Sequence, residues 1–230
     1  MTARYAIYVA PDSGSPLARF GAAWLGRDAE TGARVARPAL AGFSAERLEQ
    51  ITETPRGYGF HATLAPPMRL AEGCSLGMLD DALAAFAAGR APFMAPPLQL
   101  THMMGFLALM LSTGSDAMQA LEDDTIRTFE RFRAPPTAAE LARREDEGLT
   151  PRQEVLFRAW GYPYVLDEFR FHMTLSCELD APELQALQTA LGPLTAPLCT
   201  RQLEIGGIAL FEQAARDAPF LLRRRYPFAA

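Results

Sequence analysis

Lysine is absent, and all 22 basic residues of this 230-residue chain are arginine. Such exclusive usage follows genome composition more than function, although arginine does offer phosphate a planar, two-pronged contact. Cysteine is scarce as well. Cys74, Cys177 and Cys199 are odd in number, far apart and without a Cys-x-x-Cys spacing. That pattern supports neither a disulfide framework nor a zinc ribbon, and leaves them as small buried residues. No run approaches the ~18 consecutive apolar residues of a membrane span. The opening Met1-Thr2-Ala3-Arg4-Tyr5 leads into a strand pattern where a secretory leader would carry its apolar core. The expectation is a cytoplasmic protein without membrane association. An excess of positive charge is also lacking: the net charge of −5 argues against long nucleic acid as a partner, because that affinity rests on neutralised phosphates.

What is present is an ordinary globular composition, 49% hydrophobic and 21% charged. It suffices for one domain or two closely packed lobes. Histidine is rare, with three in the chain, yet two of them sit in a repeated pentad, Phe60-His61-Ala62-Thr63-Leu64 and Phe171-His172-Met173-Thr174-Leu175. By composition alone such a coincidence arises roughly once in a thousand chains.

The surroundings of the pentads repeat too. Residues 4–9 read as a central strand with Tyr5, Ile7 and Val9 on one face and Arg4, Ala6 and Tyr8 on the other. Ser15 and Pro16 start a helix that carries Leu17, Phe20 and Trp24 and ends at Gly26, and Ser44 starts a second that ends before Pro55. After the first pentad come a helix over about 75–89 and a hairpin of 98–103 with 106–111. After the second come a helix near 182–191, a stop at Gly192-Pro193, and a second hairpin near 202–205 and 208–211. The order occurs twice, which predicts an internally duplicated α+β architecture. We divide it into a first lobe over 1–111, a helical insert over 112–160 and a second lobe over 161–230. In the insert Met118, Leu121, Ile126, Phe129 and Phe132 share a helical face, and Thr137 with Glu140 and Thr150 with Gln153 form capping boxes. A structural brace is favoured for it over a lid on the cleft.

In a strand, residues i and i+2 face the same way. His61 with Thr63, and His172 with Thr174, therefore form two polar faces, each backed by apolar residues. Two such faces across one cleft suit phosphodiester chemistry, which needs a base on one side of phosphorus and an acid on the other. Imidazole, with an ordinary pKa near ~6.5, serves in either role. The threonine hydroxyls can donate to non-bridging oxygens as these gain charge. Neither a metal nor a cofactor is required, and three histidines without local spacing or carboxylate company make a poor metal site.

The paired His-x-Thr-Leu tetrads resemble the 2H phosphoesterase superfamily. More narrowly, Tyr58-Gly59-Phe60-His61-Ala62-Thr63-Leu64, the following Pro66-Pro67, the insert and the length are similar to a DUF1045-like branch encoded with phosphonate-utilisation operons. The resemblance implies a bilobed fold with antiparallel sheets facing a central cleft. It implies a metal-independent hydrolase acting on a small phosphate ester, of the 2′,3′-cyclic nucleotide or ribose cyclic phosphate type. Where members of the branch often carry a lysine after the first tetrad, this chain has Ala65, so one basic contact is missing.

Further candidates come from the strand pattern. Arg170, two residues before His172, falls on the His172 face and is a candidate phosphate grip, with Gly59 as its counterpart. Tyr8 and Arg4 are candidates to line the cleft. Tyr58 reaches it only if a bulge at Gly57 or Gly59 turns it round. His102 reads as a core or hairpin residue, and the run Arg223-Arg224-Arg225 as the flank of an edge strand. The competing functions are a non-catalytic nucleotide or RNA binding module and a structural partner in a phosphonate-processing assembly. Oligomeric state is not legible.

Overall fold

The computed structural model describes residues 3–138, 140–141 and 148–229. Its strands are β1 (Arg4–Val9), β2 (Ala62–Met68), β3 (Phe93–Met103), β4 (Phe106–Leu111), β5 (His172–Thr174), β6 (Gln202–Ile205), β7 (Gly207–Gln213) and β8 (Leu221–Pro227). They form one sheet in the order β6-β3-β4-β5-β2-β1-β7-β8. Every pairing between them is antiparallel, so the fold is α+β as expected. The helices are α1 (Pro16–Leu25), α2 (Ala45–Ile51), α3 (Glu53–Tyr58), α4 (Leu76–Ala88), α5 (Asp116–Phe129), α6 (Pro151–Trp160) and α7 (Ala181–Thr195). Among the described residues no helix is long and apolar enough to cross a membrane.

The two pentad strands lie side by side at the middle of the sheet, and the sheet interleaves the two sequence repeats. The β3–β4 hairpin, which follows the first pentad in sequence, pairs with β5 of the second. Strand β1 pairs with β2 on one side and β7 on the other. A cut of the chain at 111 and 161 therefore does not coincide with the halves of the sheet.

The expected second hairpin is not formed. Its two strands exist, but β6 pairs with β3 and β7 pairs with β1 and β8. Only Gly206 separates β6 from β7, so one run of chain serves both ends of the sheet order, and the sheet must curl. The next residue, Gly207, tolerates no side chain, since a Cβ there would meet the Tyr226 carbonyl oxygen at 2.5 Å.

Helix boundaries follow local chemistry with two exceptions. Ser15 and Ser75 accept from Ala18 N–H and Met78 N–H, and Gly26 ends α1 at φ 70°. Pro55, expected beyond a helix end, lies inside the first turn of α3, where its missing N–H costs nothing. Gly192-Pro193, expected as a stop, lies inside α7. There the buried stripe of Leu184, Leu187 and Leu191 continues to Thr195, whose hydroxyl donates to the Leu191 carbonyl, and packing overrides propensity.

In the insert, Met118, Leu121, Ile126, Phe129 and Phe132 are buried as the periodicity predicts, and both capping boxes form. Helix α5 also buries Glu122, at 0% exposure. Its carboxylate accepts from Leu166 N–H at 3.1 and 3.3 Å, and Gln119 Nε2 donates to the Leu166 carbonyl at 2.8 Å. Leu166 needs that clamp, because its φ of 54° is one that L residues avoid. Desolvation pushes the Glu122 pKa up to about 8. The folded chain thus holds this proton more tightly than the unfolded chain, so stability falls as pH rises from the ordinary carboxylate value through about 8. Denaturation measured from pH 5 to 9 should show that decline, and Glu122→Gln, a neutral acceptor, should flatten it.

Candidate active site

The register Ala62↔Met173 between β2 and β5 sets the site. Counting outward in an antiparallel pair, His61 falls opposite Thr174 and Thr63 opposite His172, so each histidine faces the threonine of the other copy. The alternation holds as expected. Phe60, Ala62, Leu64, Phe171, Met173 and Leu175 are buried in the main core. His61, Thr63, His172 and Thr174 line a cleft of about 330 Å³ on the other face. The end of β5 is pinned from below, where Trp24 Nε1–H donates to the Leu175 carbonyl at 2.7 Å in the core.

Both imidazoles are fixed by the same device. His61 Nδ1 lies 2.9 Å from the Gly59 carbonyl, and His172 Nδ1 lies 2.7 Å from the Arg170 carbonyl. A carbonyl only accepts, so each Nδ1 carries the hydrogen and each Nε2 presents a lone pair. His61 Nε2 is 3.1 Å from Thr63 Oγ1, whose hydroxyl donates to it. Burial lowers the His61 pKa to about 3; the Gly59 carbonyl works against this and the charge of His172 adds to it. His172 is also lowered, first by burial, with the Arg170 carbonyl opposing. Both rings are therefore neutral near pH 7.

Tyr8 and His61 are stacked, with ring centroids 3.6 Å apart and planes 18° from parallel. Tyr8 is fully buried in a small cluster with Ala6, Ala209, Phe211 and Phe220, which fixes the height of the imidazole. Gly59, which supplies the His61 acceptor, has φ 84° and ψ 172°. Arg27 steadies the preceding turn by donating to the Arg56 carbonyl at 2.9 Å and the Gly57 carbonyl at 3.3 Å.

The other sequence candidates divide. Arg4 and Tyr58 line the cleft. Tyr58 arrives there from the end of α3 rather than by a strand bulge, 36% exposed and stacked on Phe220 with centroids at 5.3 Å. Arg170 does not line the cleft. Strand β5 begins only at His172, so the alternation that assigned Arg170 to the His172 face does not extend to it. Its side chain is exposed and folds back to donate to the Asp167 and Phe169 carbonyls at 3.0 and 2.6 Å; its contribution is the backbone oxygen that holds His172. His102 is an exposed residue of the β3–β4 hairpin. Arg223, Arg224 and Arg225 lie on the edge strand β8 and pair with Glu212, Asp80 and Glu30 in turn.

Sequence reasoning missed one wall. Arg69, Arg133, Glu140, Phe157 and Tyr162 line the cleft beside the histidine strands. The insert docks there as an added edge: Ala71 N–H donates to the Phe132 carbonyl at 2.9 Å and Ala134 N–H to the Arg69 carbonyl at 2.8 Å. The insert is thus a wall of the cleft as well as a brace. A periodic pattern shows which helix face is apolar but not which loop reaches which strand. Among the described residues no three His, Cys, Asp or Glu groups gather in a way that could hold a metal ion.

Comparison with known proteins gives three kinds of likeness. The chain is 34% identical over 230 residues, 98% of its length, to ribose 1,5-bisphosphate phosphokinase PhnN of Janthinobacterium sp. (strain Marseille). It is 34% identical over 222 residues, 96% of its length, to the protein of the same name in Laribacter hongkongensis (strain HLHK9). It spans about half of those relatives, 51% of each. Among solved structures it is similar to E. coli LigT complexed with 3′-AMP, at TM-score 0.47 and 11% identity, and to a phosphoesterase at 0.41 and 12%, in each case over the whole of both chains. Likenesses at that level say nothing of what this chain acts on. The family model described as protein of unknown function (DUF1045) matches residues 63–221, more than half of the chain, which therefore belongs to the DUF1045 family.

Proposed function

We propose that this chain is a metal-independent phosphodiesterase of the 2H phosphoesterase type, acting on a small or cyclic phosphodiester such as a 2′,3′-cyclic nucleotide or a ribose cyclic phosphate. The observation that carries the reading is the cross-strand pairing of two His-x-Thr faces in one cleft, each imidazole tied by Nδ1–H to a carbonyl with Nε2 left for proton transfer. A neutral Nε2 takes a proton from water as the water oxygen bonds to phosphorus. A protonated Nε2 opposite gives its proton to the ester oxygen as the P–O bond breaks. Thr63 turns from His61 to the phosphate, and Thr63 and Thr174 hydroxyls donate to the non-bridging oxygens. His61, the more strongly depressed, is assigned as base, and His172, which takes up a proton more readily, as acid.

The relatives' name fits beside this reading. The chain has no lysine, hence none for the Gly-rich phosphate loop of a P-loop kinase, so the phosphokinase name is read as belonging to the rest of their length. Opening a cyclic diester on ribose leaves a phosphate monoester on the sugar, the kind of group that the name describes.

The test is hydrolysis of 2′,3′-cyclic nucleotides in excess EDTA across pH. Activity should persist, and kcat/KM should be bell-shaped with its maximum on the acid side of 6.5, between the depressed values of His61 and His172. The bound anion favours imidazolium, so the alkaline limb of kcat should lie at higher pH than that of kcat/KM. Nucleotide binding with no product over long incubation would favour the binding-module alternative instead.

A further inference from the structure

We propose that Arg4 and Arg69 form a second anion subsite at the outer end of the cleft, so that the preferred substrate is a phosphodiester that also carries a separate phosphate monoester. The proposal rests on the phosphodiesterase reading and narrows its substrate class.

The last pairing of β1 with β2 is Tyr5↔Met68; Arg4 is the first residue of β1 and Arg69 the residue just after the end of β2, so both flank that pairing. Both line the cleft. Like charges in one cleft repel each other. The described residues compensate for this only in part. Arg4 makes no ion pair among them; its Nε donates to Gln213 Oε1 at 2.7 Å. Arg69 Nη2 donates to the Pro135 carbonyl at 2.7 Å and reaches Glu140 Oε2 at 3.3 Å. That oxygen is already shared, since it accepts from Thr137 N–H at 2.7 Å and from the Thr137 hydroxyl at 2.9 Å. Glu140 is the one carboxylate among the described cleft residues, and the third arginine there, Arg133, is closed off by Glu130.

Arg4 is also held ready. Gln213 is buried, and its Nε2 donates to the Arg216 and Ala218 carbonyls at 3.1 and 2.7 Å, which fixes Oε1 toward the guanidinium. The Arg4 guanidinium rests 5.6 Å from the centre of the Phe220 ring.

Charge and chemistry therefore occupy different ends of the cleft. The His/Thr end is uncharged, whereas Arg4 lies four residues along β1 from Tyr8, the residue stacked on His61, about 13 Å at the rise of a strand. A lone cyclic phosphodiester carries one charge and is used up at the His/Thr end. A monoester phosphate, with its charge of about −1.5 to −2 and three acceptor oxygens, is what two guanidinium forks lining one end of a cleft recognise.

Two measurements test this. Calorimetry should show adenosine 3′,5′-bisphosphate binding about 10 to 100-fold more tightly than 3′-AMP. Adenosine 2′,3′-cyclic phosphate should be hydrolysed with a correspondingly higher kcat/KM when it bears a 5′-phosphate. Arg69→Gln should erase most of both preferences. Arg4→Gln should do the same, with Arg4→Lys retaining part; thermal melting of each variant checks that it is folded. Equal binding of the two nucleotides by the wild type, or a preference unchanged in Arg69→Gln, would overturn the proposal. Preferential bisphosphate binding with neither cyclic compound turned over would sink the catalytic reading and leave the subsite standing. Equal turnover of the two cyclic compounds would do the reverse.

Discussion

His61→Ala and His172→Ala should each lower kcat by about 10² to 10⁴-fold, the range expected when one positioned proton donor or acceptor is lost. In the proposed mechanism the two rings divide one proton cycle, so the double variant should be little worse than the poorer single variant rather than the product of both losses. Neither ring belongs to the apolar side of the sheet, where Ala62 and Met173 carry the packing, so both proteins should fold. His61→Ala should show the larger drop in melting temperature because it also removes the ring stacked on Tyr8. His102→Ala, on the exposed hairpin, should behave as wild type. Full activity in both single variants would remove the catalytic reading altogether.

Gly59→Ala should be the most damaging single-methyl change near the cleft. At φ 84° and ψ 172° the backbone there occupies a region that is essentially glycine's alone, at a cost of order 1–3 kcal/mol for any other residue. The added Cβ would also lie 2.7 Å from the Ala29 Cβ, so relieving the strain in place is blocked. The turn can only move, and with it the carbonyl that holds His61 Nδ1 at 2.9 Å. Denaturant titration should show the loss of stability, and kcat should fall together with it. Gly57→Ala is the matching control. Nothing lies within 4 Å of its would-be Cβ and its position is helical, so it should be neutral or add about 0.4–1 kcal/mol. Equal behaviour of the two variants would show that the Gly59 backbone does not govern His61.

The sequence disclosed the candidate site where period and side chain are local matters. Alternation around His61 and His172 gave two polar faces, and the β1 pattern gave Tyr8 and Arg4, because in a regular strand every second residue must share a face. It failed where regularity fails. Arg170 lies just outside a three-residue strand, Tyr58 ends a helix where a strand was expected, and Gly192-Pro193 is carried through α7 by a buried stripe. Arg69 was out of reach as well. It stands just beyond the end of β2, outside the strand alternation, and lines the cleft where the insert docks on the Arg69 carbonyl.

By itself, then, the sequence determined the elements, the two His/Thr faces and the apolar side of each, because these follow from periods of 2 and 3.6 residues that any chain of this composition must obey when it buries its apolar groups. Only the tertiary structure decided that the two pentad strands are direct neighbours, that the β3–β4 hairpin of the first repeat pairs with strands of the second while β6 and β7 form no hairpin, and that the insert walls the cleft. Those are matters of which edge meets which. Several antiparallel pairings satisfy the same alternation, and the choice among them rests on long-range packing, such as the curl forced by the β6–β7 run and the Trp24 bond beneath β5, that no local pattern encodes.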